Sequence, residues 1–306
     1  MDQKTLFLNT SPTRLFFKAA LPGSVGMLAS SLYQLLDGMF VGQLLGGEAF
    51  AALNLAMPLV IINFAISDLI GVGSSVPISV RLGEKRPEEA NNIFTCACLM
   101  VLLQGLVVGS FLFFASPVLL RVGGAAAVSV YGILMYADGI VMQFLYGMCD
   151  SLQPAVGYNW GAGRRDRVLA IEKRCFSAAA IISLLGAAVL YAFPEAVASV
   201  FVSDSEPAVY AMAIPALRLF CLGYLTRWLS FATQSFMSAV EHPIQASILS
   251  VSTALVFPVL LIAVLWPFGL NGLWFNMAGT ALLTCVVAII ILLDFKRRNW
   301  NSGTTR

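Results

Sequence analysis

The 306-residue chain is 59% apolar and only 11% charged, with a mean hydropathy of +0.85. An ordinary soluble domain carries about 25% charged residues, so a water-facing surface, intrinsic disorder and a disulfide-stapled secreted fold are all excluded. A formal net charge of +2 points to no nucleic-acid partner, and the chain reads as an all-α integral membrane protein with the lipid bilayer as its solvent.

A crossing helix needs about 20 mostly apolar residues. Polar punctuation divides the chain into eight predicted transmembrane helices at 15–41, 50–80, 92–119, 126–158, 168–192, 207–239, 243–266 and 271–295. The first thirteen residues show no small-residue cleavage site, so the first apolar segment is expected to stay as a membrane helix. Gly46-Gly47-Glu48 ends it. The later breaks are Gly83 to Pro87, Gly123-Gly124, Gly161 to Asp166, Pro194 to Pro207, Glu241-His242-Pro243 and Pro267 to Gly272. Gly and Pro at those points are the expected punctuation. Asp204-Ser205-Glu206-Pro207 is a helix start, with a capping hydroxyl, early acids and proline in the first turn. The cysteines lie mostly inside apolar runs, and none has a metal-ligand spacing. His242 is the single histidine.

Lys and Arg concentrate on one side. With the N-terminus assigned to the cytoplasm, 15 of the 18 basic residues fall in cytoplasmic segments, Arg121 lies outside, and Arg218 and Arg227 lie within a span. The positive-inside rule therefore predicts a multi-pass protein with both termini in the cytoplasm. The chain also carries a repeat. Aligning Gly83 with Gly161 gives an offset of 78 residues, which also pairs Leu53-Asn54-Leu55 with Tyr131-Gly132-Ile133. Both copies face the same way, a parallel repeat of the kind found in transporters.

Three segments carry a family resemblance. They are Leu21-Pro22 through Asp37-Gly38-Met39-Phe40-Val41-Gly42, then Gly71-Val72-Gly73-Ser74-Ser75 through Arg81-Leu82-Gly83-Glu84 with Glu88-Glu89-Ala90-Asn91, and Ser151-Leu152-Gln153-Pro154 through Asn159-Trp160-Gly161-Ala162-Gly163. Together they resemble the first, second and eighth helices of multidrug and toxic compound extrusion (MATE) transporters. That family has twelve helices in two lobes. The resemblance implies a partial two-lobe bundle: residues 1–122 as a partial N-terminal lobe matching helices one to three, and 123–306 as a partial C-terminal lobe matching helices eight to twelve. Helices four to seven are missing, with the join near Gly123-Gly124. The uncovered face of the first three helices is then expected to collapse onto the other five or to pair with a second chain as a homo-oligomer.

Ionisable residues within a span are functional candidates by default. Asp37 leads, because Tyr33, Gln34 and Asp37 share a helix face at i, i+3 and i+4 and family position adds to this. Burial would favour its protonated form, and the same oxygens could ligate sodium; the alternative is a polar cap near the helix end. Asn54, Asp68, Tyr136, Asp138 and Arg227 are candidates for a cavity wall or an ion pair; Asp68 is read equally as lining the cavity or as pairing with Arg227. The resulting reading is secondary active multidrug efflux across a bacterial cytoplasmic (inner) membrane, exchanging cationic or amphiphilic small molecules for H+ or Na+. No cofactor is implied beyond that coupling ion. No GxxxxGK[ST] motif supplies ATP chemistry, and no His/Ser, His/Cys or clustered-acid arrangement suggests an enzyme. The alternative is a shortened chain that inserts without transporting, or an assembly partner of a full-length relative.

Overall fold

Among the described residues five helices begin at a proline, Pro12, Pro87, Pro194, Pro207 and Pro243, where the missing N–H is not needed and the fixed φ suits the first turn. The computed structural model describes residues 5–46, 49–50, 53–54, 67, 70–71, 73–119, 125–202 and 207–299, and no strand occurs among them. After a π-helical turn at Thr5–Asn9 comes α1 (Pro12–Phe40), extended by a second π turn over Val41–Leu45. Residues 73–83 are α2, the end of the second predicted span. The chain continues through α3 (Pro87–Leu119), α4 (Ala125–Gly161), α5 (Arg165–Ala192), the short α6 (Pro194–Phe201), α7 (Pro207–Phe220) and α8 (Tyr224–Ala239). It closes with α9 (Pro243–Val251), α10 (Phe257–Leu265) and α11 (Gly269–Asn299).

The helix bounds follow the predicted segments, because the same residues that end an apolar run also end the helix. Lys85 and Glu241 turn the chain with φ of 64° and 60°, and Gly163 and Gly269 with 73° and 57°. One predicted loop is more structured than its composition suggested: residues 194–201 form α6, an eight-residue helix too short for a periodic signal. Among the described residues, five helical runs are long and apolar enough to cross a membrane. They are Pro12–Leu45, Val128–Gly161, Arg165–Ala192, Pro207–Ala239 and the 57-residue run Pro243–Asn299. The last run folds back at Gly269, and the Asn276 side-chain amide of α11 donates to the Pro258 carbonyl of α10 at 3.2 Å. The predicted total of eight rests also on α3 and on 50–80, much of which lies outside the described residues.

Helix α4 is the axis of the bundle. Its residues join two packed cores, one around Leu145, Leu152, Ile171 and Met237 and one around Ile133, Leu134, Leu217 and Tyr224. Helix α1 lies along α4. Between membrane helices, close van der Waals approach of small residues substitutes for the hydrophobic effect. A Cβ on Gly147 would sit 2.7 Å from both the Gly23 carbonyl oxygen and the Ser24 Cα, and Ser31 donates to the Gly139 carbonyl at 3.3 Å. Gly147→Leu is therefore expected to push backbone from backbone and cost about 1–3 kcal/mol, read as a lower midpoint of thermal unfolding in detergent.

The 78-residue offset reappears as contacts. The Asn54 amide packs against its own counterpart position, Gly132. Gly83 lies against the Tyr158 carbonyl, while Gly161 lies against the Val80 carbonyl, Cβ positions falling at 2.5 and 2.6 Å. Adding 78 turns 83 into 161 and 80 into 158, so the two glycine contacts are reciprocal. The loops repeat as well: Arg81 pairs with Glu89 at 3.4 Å, and at the equivalent positions Arg167 donates to Asn159 at 3.1 Å. The two copies thus meet across an approximate two-fold axis between α2 and α4.

Candidate functional site

Tyr33, Gln34 and Asp37 lie on α1 where the sequence put them, but the protein does not bury them. Tyr33 is 74% exposed, and Gln34 and Asp37 are exposed too. The expected burial of Asp37 is corrected: its face turns away from the α4 seam because Gly38, one residue on, occupies that seam. What adjoins Asp37 is aromatic. The Tyr136 ring of α4 packs on Gly38, and the Asp37 charge acts on Tyr136 electrostatically. Tyr136 stacks on Phe50 with ring centroids 5.7 Å apart and on Phe201 at 5.4 Å.

Phe201 also lines an apolar cavity of about 780 Å³ between α1, α4, α5 and α6, whose wall includes Leu35, Ala137, Phe144, Leu185 and Val197. That volume suits a drug-sized molecule, for which pockets of about 300–1,000 Å³ are usual. Gln43 ties the end of α1 to α6. Its amide donates to the carbonyls of Ser199 at 3.0 Å and of Val200 and Val202 at 3.3 Å, satisfying acceptors that a helix end leaves open. Sequence reading did not single out Gln43, because nothing local marks a side chain whose partners lie 156 to 159 residues away.

Asp138 and Arg227 form a different structure. The Arg227 Nη1 lies 2.7 Å from Asp138 Oδ1, with side chains 18% and 14% exposed, and the fully buried Tyr224 donates its hydroxyl to the same oxygen at 2.7 Å. Tyr224 and Arg227, one turn apart on α8, grip one carboxylate of α4. Arg227 thus has Asp138 as an ion-pair partner; Asp68, weighed as another partner of Arg227, lies outside the described residues. Asn54 is 6% exposed and donates to the Phe50 carbonyl at 2.7 Å, while its Oδ1 has no partner among the described residues.

The opposite end of the molecule is closed and basic. Arg167, 8% exposed, donates to Asn159, to the Phe7 carbonyl at 2.9 Å and to the Thr10 carbonyl, so it straps the segment before α1 onto α4 and α5. The Arg165 guanidinium carbon lies 3.0 Å from the Trp160 ring centroid, a cation–π contact. Arg81 reaches Glu241 at 3.9 Å. The Asn159-Trp160 motif therefore serves this closure.

The profile of the MatE family matches residues 22–125 and again 118–264. Over 107 residues the chain is 27% identical to the multidrug export protein MepA of Staphylococcus haemolyticus, an alignment covering 35% of this chain and 24% of that protein. Over 180 residues it is 23% identical to a transporter of Schizosaccharomyces pombe, covering 57% of this chain and 33% of that protein. The alignments thus span about a quarter to a third of these curated relatives. Among solved structures, the fold resembles an outward-facing multidrug resistance MATE family transporter of the MOP superfamily, with a TM-score of 0.75 at 16% identity over 95% of this chain and 97% of that one. The MATE multidrug transporter DinF-BH superposes with a TM-score of 0.74 at 20% identity over 92% of this chain and 96% of that one. Two profile matches that together span most of the sequence place this integral membrane protein in the MATE family.

Proposed function

We propose that the chain is a secondary active multidrug exporter, in which a cationic or amphiphilic small molecule leaves as H+ or Na+ enters. One observation carries this reading: the exposed membrane-helix carboxylate Asp37 acts on the Tyr136 ring, which meets Phe50 and Phe201, and Phe201 in turn lines an apolar cavity of about 780 Å³. Aromatic faces and apolar walls accept flat, greasy cations without demanding one shape, and the carboxylate is attractive to a positive charge. For alternating access, the close Gly83–Tyr158 and Gly161–Val80 approaches at the basic end are the contacts that would have to part.

The test is export of a fluorescent cation from everted vesicles or proteoliposomes under an imposed proton or sodium gradient. Gradient-dependent export is the expected result. No export under either gradient would transfer the assignment to the second reading, a chain that inserts without transporting or assembles with a full-length relative.

Orientation is part of the proposal: a bacterial cytoplasmic membrane with both termini inside. Reporter fusions at Gly47, Gly124, Ser203 and Gly269 are expected to report outside, and fusions at Lys85, Arg165 and His242 inside. A cytoplasmic signal at Ser203 would overturn the count of eight crossings.

A further inference from the structure

We propose that Asp150, Gln153 and Ser235 form a binding site for one sodium-sized monovalent cation, which ties α4 to α8. Asp150 and Gln153 lie three residues apart on one face of α4. Ser235 comes from α8, which packs against α4 in the core around Leu152 and Met237. The Gln153 amide donates to Asp150 Oδ1 at 2.7 Å and to Ser235 Oγ at 2.9 Å, and the Ser235 hydroxyl donates to Asp150 Oδ1 at 3.4 Å. Polar atoms from two helices thus form a small triangle. Gln153 and Ser235 are 3% and 7% exposed, whereas Asp150 is half-buried, which leaves an ion a way in. Asp150 lies about 21 Å along α4 from Tyr136 at the helical rise. Tyr136 packs on Gly38, next to Asp37, so the site is separate from Asp37.

Two further observations point to a cation rather than to a finished hydrogen-bond clamp. The first is an orphaned acceptor. Gln153 Oε1 is buried and has no partner among the described residues, a state that costs free energy. Rotation about the last side-chain bond brings Oε1 round to Asp150 Oδ1 and Ser235 Oγ. Three oxygens then converge, and they repel one another unless a cation sits between them. Na+ is close in radius to Ca2+, whose oxygen ligands lie at about 2.3–2.6 Å, so neighbouring ligands at right angles are about 3.3–3.7 Å apart. Edges of 2.7, 2.9 and 3.4 Å need only a slight opening for that ion and a wider one for K+. One carboxylate balances one positive charge. The second observation is Pro154, inside α4 directly after Gln153. It has no N–H, so the helix bond to the Asp150 carbonyl is not made. Backbone oxygens at such interruptions coordinate Na+ in membrane carriers, and this one belongs to the residue that supplies the carboxylate. The site holds α4 to α8 whether or not the chain exports anything.

The thermal unfolding midpoint of the purified full chain in detergent tests the site, with choline chloride replaced stepwise by NaCl at fixed pH and ionic strength. For the wild type and for Asp37→Asn the midpoint is expected to rise by about 2–4 °C at several times the Kd, and to rise much less with KCl. Asp150→Asn removes the charge and Gln153→Met the amide oxygen, so both should lose the Na+ response. Gln153→Glu keeps an oxygen in place and adds a second charge. It should steepen the response, which keeps the test open if the other two variants fold poorly. Equal midpoints in choline, K+ and Na+ would overturn the proposal. So would an undiminished Na+ response in Asp150→Asn, or a response in Gln153→Glu no larger than in the wild type. A response lost in Asp37→Asn but kept in Asp150→Asn would move the ion to Asp37 and overturn it as well. A normal response in a protein that exports nothing would sink only the exporter reading.

Discussion

Asp37→Asn is expected to reduce gradient-driven export of a fluorescent cation to the level of empty vesicles, with membrane abundance and thermal stability nearly unchanged. Exchange of an ion for a drug requires one site whose occupancy changes the preference between inward- and outward-open forms, since a ligand that binds both forms equally shifts neither. The amide keeps the shape of the carboxylate and removes its charge and its proton exchange. Because Asp37 is exposed and carries no packing, the stability change should stay within about 0.5 kcal/mol, as for other surface substitutions. Equal export by the wild type and Asp37→Asn would show that coupling resides elsewhere.

The largest stability effect is expected at Asp138 and Arg227. Removing one member of a buried ion pair leaves an uncompensated charge and costs about 3–5 kcal/mol. Arg227→Met would leave Asp138 with the Tyr224 hydroxyl as its remaining partner in the ion-pair site, so the variant should unfold at markedly lower temperature and yield less monodisperse protein. Asp138→Asn combined with Arg227→Met removes both charges and should recover much of the loss. Additive losses in the double variant would show that the pair is not coupled.

These two sites differ in how far the sequence disclosed them. Charges inside apolar runs are legible because lipid penalises them, and so Asp37, Asp138 and Arg227 all stood out. Pairing is not legible. Arg227 meets Asp138 because α8 crosses α4 at that height, a matter of helix packing that no local pattern records, and Asp68 was an equally good partner by hydropathy. The face shared by Tyr33, Gln34 and Asp37 followed from helical spacing, whereas its exposure depends on Gly38 and Gly42 taking the packed side of α1. The 78-residue repeat was readable and returned as reciprocal contacts, since glycines that permit close approach also punctuate the chain.

The strap held by Arg167 has a consequence for the order of assembly during synthesis. The carbonyls of Phe7 and Thr10 are made 160 and 157 residues before the guanidinium that holds them, and Ser31 waits for Gly139, 108 residues later. At about 5–20 residues per second, the first helix spends on the order of ten seconds beside the ribosome without its permanent neighbour. During that interval it must be sheltered by lipid or by the insertion machinery, with Arg14 and Lys18 holding its end at the headgroups. Slower translation between codons 40 and 170 would lengthen that exposure, while the finished fold would be the same.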